Sequence, residues 1–233
     1  SVCMAAYNGE NYIEKQISSI LCQLKPDDQL VIVDDCSKDR TINVIKNFND
    51  SRIKLLKNKF NYGVVATFER ALSAAEGNII FLSDQDDEWI DNKLSFITNF
   101  FASNNVDLIV HDAKIIRNGS IISNSLFSEI GSSGGFFKNL YSNSFTGSCM
   151  AFRKDILNKV LPIPIKKGIF HDAWIGILAK FYKFKIIFIP KTLIIYHRHN
   201  SNVSTMKRRS IYKIIPERIN LIFSLIKRVI YGR

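Results

Sequence analysis

The sequence predicts an α/β fold with a mostly parallel central sheet and helices on both faces. Two observations carry this. Short apolar runs alternate with helix-period segments through the first 110 residues, the pattern of strand–helix–strand units. Three of those runs stop at residues capable of chemistry: Tyr7-Asn8, Asp34-Asp35, and Asp84 to Asp87. Ligands of such sheets sit beyond the carboxyl ends of the strands, so the three ends converge on one candidate site. A chain of 233 residues, 46% apolar, can bury one full core of this kind.

In order, residues 2–6 read as a strand. Residues 11–23 read as a helix, with Ile13, Ile17, Ile20, Leu21 and Leu24 at three- and four-residue spacing. Residues 30–33 form a buried strand ending at Asp34-Asp35, and 38–48 a helix with Asp39 as a cap before Thr41. A short strand at 52–57, a turn at 61–63 and a helix at 64–75 stopped by Gly77 follow. Residues 78–82 are the next strand, 92–101 a helix, and 106–113 a strand. Residues 114–144 are less regular, with a loop at 131–135. Beyond them come a strand-like 145–152, a helix at 169–180, strands at 185–189 and 192–198 divided by Pro190, and a helix at 212–231.

Charge is distributed unevenly. The chain has 32 Lys and Arg against 21 Asp and Glu, a net +11, and from Thr205 to Arg233 eight basic residues face only Glu217. That tail combines an apolar helical side (Ile214, Ile215, Ile219, Ile222, Phe223, Ile226, Val229, Ile230) with Lys and Arg on the remainder. It is expected to lie on an anionic lipid surface or to pack on the core. No apolar run is long enough to span a bilayer. The four cysteines form no Cys-x-x-Cys pair and read as reduced structural thiols in a cytosolic protein. The first residue, Ser1, already lies in a strand-like segment, which is expected to mean that a few leading residues are missing.

Inside this basic chain lies a dense acidic knot: Asp84, Asp86, Asp87 and Glu88, directly after a buried strand and beside Trp89. Like charges this close repel and raise one another's pKa values unless a cation sits between them. Hard oxygen ligands of this type suit Mg²⁺ or Mn²⁺. Asp84-Gln85-Asp86 is an Asp-x-Asp arrangement whose carboxylates could hold a divalent ion against a diphosphate; the bland alternative is a solvated acidic turn. Asp34-Asp35 could accept from a nucleobase N–H or a ribose hydroxyl, or form an Asx-turn. His171-Asp172 opens an apolar helix containing Trp174. A carboxylate there suits a general base, or a simple helix cap. In the extended segment Tyr196-His-Arg-His199, the two histidines can face one side as metal ligands, or decorate a polar strand.

These elements together resemble a family 2 glycosyltransferase of the GT-A fold, and more narrowly the rhamnosyltransferase-like branch of bacterial O-antigen and capsule synthesis. The matching segments, in order, are SVCMAAYNG at 1–9, VIVDDCSKDRT at 31–41, NYG at 61–63, FLSDQDDEW at 81–89, TGSCMAFR at 146–153, HDAW at 171–174 and YHRHNSNV at 196–203. The resemblance covers residues 1–204. It divides that domain into a nucleotide-sugar-binding half at 1–112 and an acceptor and catalytic half at 113–204, followed by the tail at 205–233.

The resemblance implies roles. Ala5, Tyr7, Asp34, Asp35, Asn61 and Asp84 would bind the nucleotide-sugar. Asp86 and His199 would hold Mg²⁺ or Mn²⁺. Asp87, Trp89, Gly147, His171 and Trp174 would line the acceptor or donor-sugar pocket, and Asp172 would be the base of an inverting displacement. Ala5 stands where relatives often carry Thr, and Thr67 where some carry a basic residue. The implied donor is dTDP-rhamnose or a UDP-sugar. The implied acceptor is a saccharide carried on polyprenyl diphosphate, at the inner face of the bacterial cell membrane. A sugar nucleotidyltransferase would be expected to show a Gly-rich loop with Lys or Arg near residues 5–10, and the sequence has none. A nucleic-acid-binding module would interleave basic and aromatic residues on a sheet face, whereas here the strand ends are acidic.

Overall fold

The apolar runs assemble into one twisted sheet. The computed structural model describes residues 1–132, 135, 139, 143–199 and 211–231. Parts of the loop expected at 131–135, the end of the last motif at 200–203 and the start of the tail at 205–210 lie outside the described residues. The first half runs β1 (Val2–Ala6), α1 (Ile13–Leu21), β2 (Leu30–Asp34), α2 (Thr41–Asn47), β3 (Ile53–Lys57), α3 (Val64–Ser73) and β4 (Ile79–Asp84). These four strands pair in parallel in the order β3-β2-β1-β4. The core-facing side chains of β1, β2 and β4 are almost wholly buried, as a strand covered by helices on both faces requires.

Beyond β4 come β5 (Glu88–Trp89), α4 (Lys93–Ser103), β6 (Leu108–Arg117), β7 (Ser120–Ser123) and α5 (Leu126–Ile130). A 3-10 turn, Gly147–Cys149, leads into β8 (Met150–Arg153); a second, Lys154–Ile156, leads into α6 (Leu157–Val160). The described chain then forms α7 (His171–Phe181), β9 (Ile186–Arg198) and α8 (Ile211–Tyr231). The sheet continues β4-β8-β6-β9-β5, with β8 antiparallel to both neighbours, β9 parallel to β6 and β7 hairpinned onto β6.

Two expectations change. The strand read at 145–152 is a 3-10 turn followed by a strand only from Met150. The strands read on either side of Pro190 are one strand, because β9 bulges where proline offers no N–H: its partners jump from His111↔Ile189 to Asp112↔Thr192.

The tail helix α8 packs on the core through Glu217, Leu221, Ser224 and Arg228, all buried. Arg228 donates to the carbonyls of Leu161, at 2.6 Å, and of Pro162, and its guanidinium lies 5.6 Å from the Trp174 ring centroid. Arg228 is inside, while Ile215, Ile219, Ile222, Phe223, Ile226, Val229 and Ile230 face outward.

Candidate functional site

Strand register sets the first half of the site. Ala5 lies between Val33 of β2 and Asp84 of β4, and Ala6 pairs with Asp34, so both acidic strand ends flank the end of β1. An amide clasp closes the gap beyond: Gln85 Oε1 accepts from Tyr7 N at 2.9 Å and Gln85 Nε2 donates to Tyr7 O at 3.0 Å. The Gln85 amide lies so close to Gly9 that a Cβ there would collide with it. Gln16, buried on α1, donates to Ser83 Oγ at 2.7 Å and to Asp84 O at 3.0 Å. The Tyr7 ring is half exposed beside this clasp and Asn61 lies in the exposed turn before α3.

The two members of the Asp34-Asp35 pair differ. Asp35 accepts from Asn58 Nδ2 at 2.7 Å, Tyr62 N at 2.9 Å and Gly63 N at 2.8 Å. Gly63 has φ +85°, a left-handed backbone that suits glycine, and this presents its N–H to the carboxylate. Asp35 therefore organises the β3–α3 loop beside the end of β2. Asp34 takes one bond from Ser37 N at 3.1 Å, and its buried Oδ1 has no donor among the described residues.

The acid loop after β4 brings Asp84, Asp86 and Asp87 together. Burial, then the charges of Asp86 and Asp172, push Asp84 up to about 7. Burial, then Asp86 and Asp84, push Asp87 well above the usual carboxylate range. His199 Nε2 lies 2.8 Å from Asp86 Oδ2, and Tyr12 stacks on the His199 ring at 4.4 Å. His197 bridges its neighbours instead: its N–H reaches Asp87 Oδ1 at 3.4 Å and its Nε2 lies 3.6 Å from Glu88, which also holds Lys15 at 2.7 Å. Among the described residues no three His, Cys, Asp or Glu gather into a metal cage. A carboxylate–imidazole pair beside repelling carboxylates nevertheless fits Mg²⁺ or Mn²⁺, ions that take much of their shell from water and substrate phosphate.

The facing side of the site is the N-terminus of α7. Asp172 there receives Ala173 N at 2.6 Å. The helix dipole favours its charge, but burial prevails and raises it to about 6. His171 is buried against Phe68, ring centroids 3.8 Å apart. Burial lowers it to about 3, so the imidazole is neutral. Gly147 sits against this pair, buried in its 3-10 turn. The charge of Asp172 adds to the rise of Asp84.

The two tryptophans expected in the pocket are buried. Trp174 is fully buried and its Nε1 donates to Val160 O at 2.8 Å. Trp89 is buried beside Phe81, centroids 5.5 Å apart, and beneath Lys93. Both indoles pack inside the core, at 3% and 0% exposure. Lys93, Tyr12, Gln16 and Gln85 join the site without any signal of their own in the sequence motifs. A groove of about 570 Å³, lined in part by Leu24, Phe48 and Arg52, opens at the opposite end of the strands and holds no comparable cluster.

Residues 1–161 match the family model described as glycosyl transferase family 2. The chain belongs to that family. An Escherichia coli protein named UDP-Glc:alpha-D-GlcNAc-diphosphoundecaprenol beta-1,3-glucosyltransferase WfgD is 38% identical over 122 residues, 52% of this chain and 48% of that protein. An uncharacterized glycosyltransferase of Nostoc sp. (strain PCC 7120) is 31% identical over 87% of this chain and 65% of its own length. The chain thus spans about half to two-thirds of the length of these relatives. Among solved structures, Staphylococcus aureus TarS 1-349 with UDP-GlcNAc aligns at TM-score 0.75 and 21% identity, over 97% of this chain and 66% of that one. Pyrobaculum calidifontis mannosyltransferase PcManGT with GDP-Man and Mn²⁺ aligns at TM-score 0.64 and 18% identity, over 86% and 57%. These likenesses establish the GT-A fold for this family 2 chain.

Proposed function

We propose that this family 2 chain is the catalytic domain of an inverting glycosyltransferase that moves a sugar from a nucleoside diphosphate to a lipid-linked saccharide in surface-polysaccharide assembly. One observation carries the reading: a repelling carboxylate cluster at the ends of parallel strands faces a separate, partly buried carboxylate, Asp172, at a helix N-terminus. The first suits a diphosphate with its counter-ion, the second a base.

In this reading Tyr7 and Asp34 border the nucleoside, and Asp84 and Asp86 the diphosphate, with Asp86 and His199 holding Mg²⁺ or Mn²⁺. When bound, such an ion supplies charge neutralisation for the departing diphosphate. Asp172 accepts the proton of the acceptor hydroxyl as that oxygen attacks the anomeric carbon. The anomeric bond to the diphosphate breaks on the opposite side, and the centre inverts. Neutral His171 orients this end without adding charge, and Asp87 remains behind the loop.

The donor base we favour is uracil, from the UDP-glucose named for the Escherichia coli relatives, with dTDP-rhamnose as the competing donor. The diphosphoundecaprenol in those names supports a polyprenyl-diphosphate acceptor. No described helix is long and apolar enough to cross a membrane. The outward apolar face of α8 supports peripheral seating on the inner face of the cell membrane. Calorimetric titration with UDP and dTDP, each with and without Mn²⁺, tests the core of this proposal. Metal-dependent binding of one nucleotide is expected; a folded chain that binds neither would sink it.

A further inference from the structure

Residues 161–170 run from α6 to the His171-Asp172 end of α7, and the tail helix α8 grips them. Buried Arg228 donates to the carbonyls of Leu161 and Pro162, and Asn220 Nδ2 donates to Lys167 O at 3.3 Å. Gly168 has φ +86°, and a Cβ there would collide with Glu217 of α8, so the loop backbone meets the helix with room only for hydrogen. Glu69 of α3 accepts from Ile163 N at 2.5 Å, which ties the start of the loop to the core. Loop and helix are thus one packed unit, and the unit ends at the proposed base.

Every exposed residue of that unit is apolar or basic. Ile165 is 67% exposed and Phe170 39%, beside exposed Lys166 and Lys167. The helix adds Ile219, Phe223 and Ile226, with exposed Lys227. Segments 161–170 and 211–231 contain one acid, Glu217, and it is buried. Apolar surface gathered in this way marks a partner. A second copy docked symmetrically would set these lysines against one another with no exposed acid to meet them. An anionic lipid leaflet answers both features: acyl chains take the aliphatic and aromatic side chains, and headgroups take the ammoniums.

We infer that residues 161–170 and α8 together form one surface for anionic lipid, so that seating the helix also fixes the segment leading into Asp172. This rests on the peripheral seating proposed above and extends it from the tail to the rim of the active site. A saccharide carried on a lipid diphosphate is then met at the leaflet by the same segment that presents the base.

The experiment sediments the chain with vesicles of phosphatidylcholine, alone or mixed equally with phosphatidylglycerol, and follows amide exchange in the bound protein. Wild type is expected to prefer the mixed vesicles, and added salt to weaken that preference. Lys166→Glu/Lys167→Glu reverses two exposed charges and is expected to lose about ten-fold or more in binding. Exchange should slow across residues 163–172 as well as along α8. A double variant that binds like wild type overturns the inference and leaves α8 seated alone. So does protection confined to α8, a result that depends on no variant folding. A folded wild type that binds neither vesicle removes the peripheral seating and the inference with it. A concentration-dependent dimer that is lost in Phe223→Asp would assign the face to a second copy instead.

Discussion

A Cβ placed on Gly147 would lie 2.9 Å from Nε2 of His171 and 3.7 Å from Cβ of Asp172. The 3-10 turn is therefore packed against the first residues of α7 with room only for hydrogen, and His171 has Phe68 on its other side. Gly147→Ala should push His171 and rotate Asp172 off its line. We expect transfer to fall at least ten-fold while Mn²⁺-dependent nucleotide binding is retained. Overpacking of this sort costs about 1–3 kcal/mol, read as a lowered unfolding midpoint.

Asp172 gives the reaction a pH signature. A base acts only when deprotonated, and burial raises this carboxyl to about 6. The turnover rate should therefore climb with pH through about 6 and level off above it. Asp172→Asn should remove that limb and about 10²–10⁴-fold of the rate, with donor binding nearly intact. The stability sign is opposite to that of a salt-bridged acid. The folded carboxyl keeps its proton up to about 6 while the unfolded one releases it near 3.8, so folding weakens as pH rises across that window. The Asn variant should melt higher than wild type at pH 7, and the gap should close near pH 4. A normal rate in the variant would remove Asp172 from the mechanism.

Asp86 and His199 should act as a unit. Asp86→Ala and His199→Ala are each expected to weaken nucleotide binding in Mn²⁺ by ten-fold or more and to leave metal-free binding unchanged. The double variant should lose little beyond either single, since the members of a shared site are not additive. Titration curves with Mn²⁺ that match wild type would count against the pair.

Asp35→Asn tests the β3–α3 loop. Three N–H groups converge on the two oxygens of Asp35, and an amide presents one NH₂ where an acceptor is required. The loss should be about 1–3 kcal/mol in denaturant unfolding, with the largest gain in amide exchange at Tyr62 and Gly63.

Much of this is legible in the chain because strand ends announce themselves. An apolar run that stops at Asp84 or at Asp34 can be read without coordinates, and so can the acid cluster that follows. The helix of His171 and Asp172 is equally visible from its apolar repeat. What stays hidden depends on contacts across the fold. Lysine defaults to the surface, so Lys93 does not stand out, although it shares a helical stripe with Ile97 and Phe101 at four-residue spacing, and all three are buried. The resemblance places Trp89 and Trp174 in the sugar pocket, yet a position in the sequence does not say which way an indole turns. The sharing of Asp35 among Asn58, Tyr62 and Gly63 joins residues more than twenty positions apart, beyond the reach of any local pattern.

The bulge in β9 has a consequence for phase. From His111 to Ala113 strand β6 advances two residues, while its partner advances five, from Ile189 to Ile194. The difference is odd, and strand side chains alternate with period two, so the irregularity exchanges the two faces of β9 for everything downstream. Tyr196 and Arg198 go to one side and His197 to the other because of it. Turning them back would require the downstream half of β9 to slip by one residue against β6, which would break the present rungs and move the His197 side chain to the other face.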